Sequence, residues 1–128
     1  MAKWTNDLVL DAALDFVINN TEKLVLCTAE PASYADATTD SPTGVALGET
    51  AMTPQEFTKA DGDINGRKLT VAAQAGIQVD VGGTANHIAL VDDTNSRLIL
   101  VTTVSPVSLT LGGSAEVAAF DQEIADPA

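Results

Sequence analysis

Five short runs with the spacing of β-strands follow one another through residues 77–124, and a chain patterned this way has few folds open to it. Ile77, Val79 and Val81 alternate with Gln78 and Asp80, and Val107, Leu109 and Leu111 alternate with Ser108 and Thr110. That period of two marks half-buried strands. Residues 88–91 and 98–101 are instead apolar on both faces, which predicts strands at the centre of a sheet or sandwich. Asp92-Asp93-Thr94-Asn95-Ser96 joins them as a hairpin turn. A last run, residues 115–124, carries Phe120 and Ile124. Groups able to do chemistry are scarce throughout this half, so its pattern points to assembly rather than catalysis.

The front half holds one predicted helix, residues 7–20. Asp7, Asp11, Asp15 and Asn19 recur every four residues, while Leu8, Val9, Leu10, Leu14, Phe16, Val17 and Ile18 fill much of the rest. The expectation is a single water-facing aspartate stripe, with Phe16 among the buried residues and the apolar remainder covered by the sheet and by a neighbouring subunit. Thr5 or Asn6 can cap the start, and Asp7 sits where the helix dipole favours an anion. Strands are predicted at residues 24–28 and 69–73, with another over 50–58 interrupted by Pro54, and Ala75-Gly76 reads as a turn. Residues 31–49 are rich in Ala, Ser, Thr, Asp, Gly and Pro, and read as an extended loop or arm able to grip a neighbour. The expected fold is mainly β, an antiparallel β-sandwich or barrel of about seven strands with one N-terminal α-helix. It forms one domain, residues 1–128, with its β core over residues 69–124.

Eighteen acidic and six basic residues give a formal net charge of −12. A nucleic-acid partner needs clustered Lys and Arg for phosphate contacts, and the only adjacent basic pair is Arg67-Lys68, so nucleic acid is excluded as a partner. An anionic membrane surface is disfavoured for the same reason. One Trp, one Tyr and three Phe leave the core to Val, Leu, Ile and Ala. The single Cys27 cannot form an internal disulfide, which points to synthesis in a cytosol, and its neighbours Leu24, Val25 and Leu26 predict a buried, inert thiol. The opening Met1-Ala2-Lys3-Trp4 lacks the layout of a signal peptide, and no apolar run approaches the ~18 residues of a membrane span.

Asp61-Gly62-Asp63-Ile64-Asn65-Gly66 matches the first half of a calcium loop, with oxygen ligands at alternate positions and a glycine at the sharp turn. Asp61, Asp63 and Asn65 are therefore the candidate metal ligands. The twelfth position, where a bidentate Glu belongs, is Ala72, and Arg67 and Lys68 bring positive charge beside the loop. A polar turn using Gly62 and Gly66 for positive φ is the better reading. His87, the only histidine, has no nucleophile or carboxylate at local spacing and reads as structural. Gly48, Gly82-Gly83 and Gly112-Gly113 are turn glycines, none opening a helix as a phosphate loop does. No catalytic residue and no cofactor is predicted.

Several segments together resemble a group of small tailed-bacteriophage virion structural proteins. These are Thr84-Ala85-Asn86-His87-Ile88-Ala89-Leu90-Val91-Asp92, Ser96-Arg97-Leu98-Ile99-Leu100-Val101-Thr102, Leu109-Thr110-Leu111-Gly112-Gly113 and Ala119-Phe120-Asp121-Gln122-Glu123-Ile124-Ala125-Asp126-Pro127. Met1-Ala2-Lys3-Trp4, Asp11-Ala12-Ala13-Leu14 and Cys27-Thr28-Ala29-Glu30-Pro31 fit the same group. The likeness covers most of the chain, on strand and turn patterns rather than a catalytic signature. It implies a capsid decoration or cement protein bound outside the shell, with the major capsid protein as partner and synthesis in the host cytoplasm. It also implies a homo-oligomer, a trimer being one candidate. A tail-tube, connector or fibre-base component is the alternative. A host-surface glycan-binding module comes after it, disfavoured by the scarcity of aromatics for stacking on sugars.

Overall fold

The computed structural model describes residues 4–126; residues 1–3 and 127–128, including Met1-Ala2-Lys3 and Pro127 of the resemblance, lie outside it. Among the described residues the chain forms α1 (Asp7–Asn20), β1 (Lys23–Cys27), α2 (Tyr34–Thr38), β2 (Ala46–Ala51), β3 (Phe57–Asp61), β4 (Arg67–Val71), β5 (Gln74–Val79), β6 (Gly83–Asp92), β7 (Arg97–Leu109), β8 (Ser114–Val117) and β9 (Phe120–Ile124). Six strands form one sheet in the order β7-β6-β1-β2-β5-β8, and three form a second in the order β3-β4-β9. Neighbouring strands are antiparallel throughout. The fold is thus mainly β, with curled antiparallel sheets in a half-barrel or sandwich-like arrangement and one main helix near the N-terminus.

Alternation along β1 explains the layers. Leu24 and Leu26 point into the main core with Ile88 and Leu90 of β6, Leu47 of β2, Ile77 of β5 and Leu69 of β4. Val25 and Cys27 point the other way, into a cluster with Ala37 of α2, Ala46, Ala89 and Val91. β1 and β6 can be apolar on both faces because both faces are covered. The small side chains of the second cluster let the five-residue α2 lie close on the sheet.

Residues 31–49 are therefore not an extended arm. They carry α2 and the start of β2, and they fold back onto the outer face of the large sheet, where Ala37 and Ala46 are buried, while Leu47 enters the main core. Ser33 caps α2 by accepting from the Asp36 amide, and the Val45 amide donates to the Asp36 carbonyl. Tyr34 Oη donates to Asp93 Oδ1 at 2.8 Å, tying α2 to the β6–β7 turn. The absence of a long period had hidden a short helix held by local caps.

Four further corrections follow from sheet membership. The β core begins at Lys23, not at residue 69. Ala75-Gly76 is a bulge inside β5, Gly76 having φ of +67°, rather than a turn. Residues 98–101 and 107–109, read as parts of two strands, belong to the single β7, which ends before Leu111 and whose pairing with β6 shifts between Leu90 and Val91 and again where Ala85 meets Val107 and His87 meets Thr103. Pro106 falls in that irregular stretch, and an edge strand tolerates it there. Residues 115–124 divide into β8 and β9, which join different sheets.

Candidate functional site

The calcium-loop residues are turned to other work. Asp61 Oδ1 accepts from Arg67 Nη1 at 2.7 Å, Asp63 Oδ1 faces Lys68 Nζ at 2.8 Å, and Asn65 Oδ1 accepts the Asp126 amide at 2.9 Å. Among the described residues no group of three or more His, Cys, Asp or Glu is arranged to hold a metal ion. Gly66 has φ of +73°, as a turn glycine should. Gly62 does not share that conformation; it is needed because a Cβ there would lie 2.0 Å from the Asn65 carbonyl oxygen.

His87 is half-buried on β6, opposite Cys27 of β1 and Thr103 of β7, and its Nδ1 lies 2.7 Å from Asn86 Oδ1. Cys27 is fully buried, and its desolvated thiol is pushed up to about 11. Asp92, at the end of β6, is buried and accepts from the Asn95 amide and Nδ2. Those hydrogen bonds hold its carboxyl below the usual range, with Arg97 adding a weaker attraction. It closes the hairpin turn in which Ser96 takes a positive φ of 53°.

The largest departure from the sequence reading is the orientation of α1. Asn6 caps it by accepting the Leu8 amide, and Leu10 and Leu14 are its buried residues. Asp11 accepts from Arg67 Nε at 2.8 Å and Asp15 from Lys59 Nζ at 2.6 Å, so these two aspartates face the small sheet, while Asp7 and Asn19 of the same stripe stay exposed. Arg67 is held above its usual pKa by Asp11 and then Asp61. The water-facing side is the apolar one: Leu8 is 77% exposed, Val9 61% and Phe16 44%, with Trp4 just before the helix at 72%. The Arg97 guanidinium stands 5.3 Å from the Phe16 ring centroid. Phe16 is not a core residue. Ala12 and Ala13 continue the same exposed surface.

A second feature lies where the large sheet ends. β7 and β8 follow one another through a tight turn in which the Gly113 amide donates to Thr110, yet they stand at opposite ends of the sheet. Between them opens a cleft of about 600 Å³, lined by Leu26, Ala85, Val104, Leu109, Val117 and Phe120 among others. It exposes one margin of the main core and holds a single ionisable group, Glu116.

The excess of apolar surface on α1 was expected from the sequence, but the pairing of Asp11 and Asp15 with cations, and with it the exposure of Phe16, was not. The signal that could have found it is the adjacent Arg67-Lys68 on a strand, in a chain with so few cations to neutralise its aspartates. Comparison of the chain with protein families, with characterised proteins and with solved structures yields no match.

Proposed function

We propose that this chain is a structural virion subunit that binds the outside of a tailed-phage capsid shell and strengthens it. The observation that carries the reading is the exposed apolar surface formed by Leu8, Val9 and Phe16 on α1 with Trp4 just before it. Apolar side chains gathered on one helical face, on a protein of net charge −12, are the composition of a protein-contact site rather than of a solvated face. The resemblance of the sequence to small phage structural proteins supplies the class of partner, the major capsid protein. An ion-paired small sheet beneath the helix holds that face in fixed orientation, which lowers the entropy lost on docking.

The test mixes purified protein with undecorated shells and, separately, with isolated tail tubes. Co-sedimentation with shells and a rise in their heat resistance is the expected result. Leu8→Asp combined with Val9→Asp should abolish it, and because both side chains are exposed the melting temperature of the free protein should hold. Binding to tail tubes in place of shells would transfer the function to the tail.

A further inference from the structure

β7 has the composition of an interior strand and stands at an edge. Leu98 and Val101 pack toward the cluster beneath α2, while Ile99, Leu100 and Val104 pack toward the main core, so both faces are apolar. All five are only half-buried. The comparable run of β6, residues 88–91, is fully buried because β1 and β7 flank it. What β7 lacks, relative to β6, is a strand on its outer side.

Free edges in soluble proteins are usually protected by charge, by shortness or by irregularity. The other edges here obey that rule. β3 carries Lys59 and Asp61, β9 carries Asp121 and Glu123, and β8 is four residues long and contains Glu116. β7 has neither charge nor shortness to protect it, being thirteen residues long with no charged residue between Arg97 and Glu116 in so acidic a chain. Its interruptions are Pro106 in the irregular stretch and a one-residue bulge at Ile99, between which residues 100–103 pair in unbroken register with β6 and leave a free row of backbone donors and acceptors on the other side.

We propose that residues 100–103 of β7 pair antiparallel with the same residues of a second copy of this chain about a two-fold axis, joining two six-stranded sheets into one. A second copy fits this edge on three counts. It brings an equally free backbone ladder, it brings apolar side chains on both faces, and it meets the first copy along an uncharged run where like-charge repulsion between acidic chains is least. The outer face of α1 satisfies only the second, because its backbone is already bonded within the helix. The pairing does not depend on the capsid reading, and it is measured without capsids.

The experiment is sedimentation velocity of the purified chain from micromolar to millimolar concentration, with amide hydrogen exchange at both ends of the range. A monomer–dimer equilibrium is expected, with residues 100–103 gaining protection in the dimer and β8 and α1 unchanged. Thr103 is exposed, so Thr103→Asp should leave the monomer's melting temperature unaltered while weakening the dimer roughly tenfold or more; Thr103→Ser serves as the matched control. A chain that stays monomeric at millimolar concentration overturns the proposal. So does a trimer, or a dimer whose new protection falls on α1 or β8.

Discussion

The six-stranded sheet is held by aliphatic burial on two faces, whereas the three-stranded sheet is tied to α1 by ion pairs. In the first, Leu24, Val25, Ile88, Ala89, Leu90 and Val91 are fully buried without a charged neighbour among them. In the second, Lys59, Arg67 and Lys68 reach Asp15, Asp11 and Asp63, and only Phe57, Leu69 and Val71 are fully enclosed. A core built almost without aromatics fills one thick layer well. The narrow sheet, with less apolar surface to bury, depends more on charge to orient it. Partly exposed pairs contribute little energy each, so the large sheet sets stability and the small sheet sets geometry.

Leu90→Ala should show the largest effect. It empties a site bounded by β1 and β7 on either side, and should cost about 2–5 kcal/mol in a denaturant titration. A loss under about 1 kcal/mol would mean that the large sheet is not the stabilising layer.

Next in size is an alkaline effect within the same sheet. The Cys27 thiol ionises near its ordinary value in the unfolded chain but only at about 11 when folded, so the folded state keeps a proton that the unfolded state loses. Stability should therefore fall as pH rises from 9 to 11, by about 1–3 kcal/mol. Cys27→Ala, though less stable at neutral pH, should show a flatter decline over that window. Lys68, held above its ordinary pKa by Asp63, adds a separate loss beyond it, and Cys27→Ala leaves that intact. At the other end, the depressed carboxyls of Asp92 and Glu56 stabilise the fold above their unfolded pKa values, and that contribution disappears on acidification below about pH 4. An equal alkaline slope in wild type and Cys27→Ala would show that the thiol does not contribute.

Arg67→Met is expected to cost less than Leu90→Ala. It keeps the aliphatic stem but leaves Asp11 and Asp61 without their shared cation. The loss should shrink as salt is raised toward molar, because screening already weakens the wild-type pairs. A salt-independent loss as large as that of Leu90→Ala would mean that packing, not charge, seats the small sheet.

The large sheet was legible where its strands obey a period of two or run apolar between turn residues, and the hairpin at residues 92–96 could be placed directly. Beyond the short helix hidden in residues 31–49, three things were not. On α1, Leu10, Leu14, Val17 and Ile18 turn inward as expected, but Asp11 and Asp15 were wrongly given to water because they find Arg67 and Lys59 about fifty positions away, and nothing local announces such a partner. The break between β8 and β9 falls at Ala118-Ala119, which carries no turn chemistry, since it is made by a change of sheet rather than by a tight turn. β7 was placed at the centre of a sheet because composition reports how dry a strand wants to be, and not whether one chain or two supply its neighbours.

The smallest expected effect bears on α1. Read from the sequence, Phe16→Ala removes a core side chain and should cost on the order of 3–5 kcal/mol. In the structure the ring is 44% exposed and its notable contact is the Arg97 guanidinium, an interaction worth about 0.5–1 kcal/mol at exposed sites. The isolated monomer should therefore lose no more than about 1 kcal/mol in a denaturant titration. The same substitution should still weaken retention on capsid shells, because it truncates the outward face that the proposed contact uses. A large destabilisation that fades on dilution would show a second copy covering α1 in solution, moving the self-association from β7 to the helix. A large destabilisation at every concentration would return Phe16 to the core and leave the helix with the orientation first read from its aspartates.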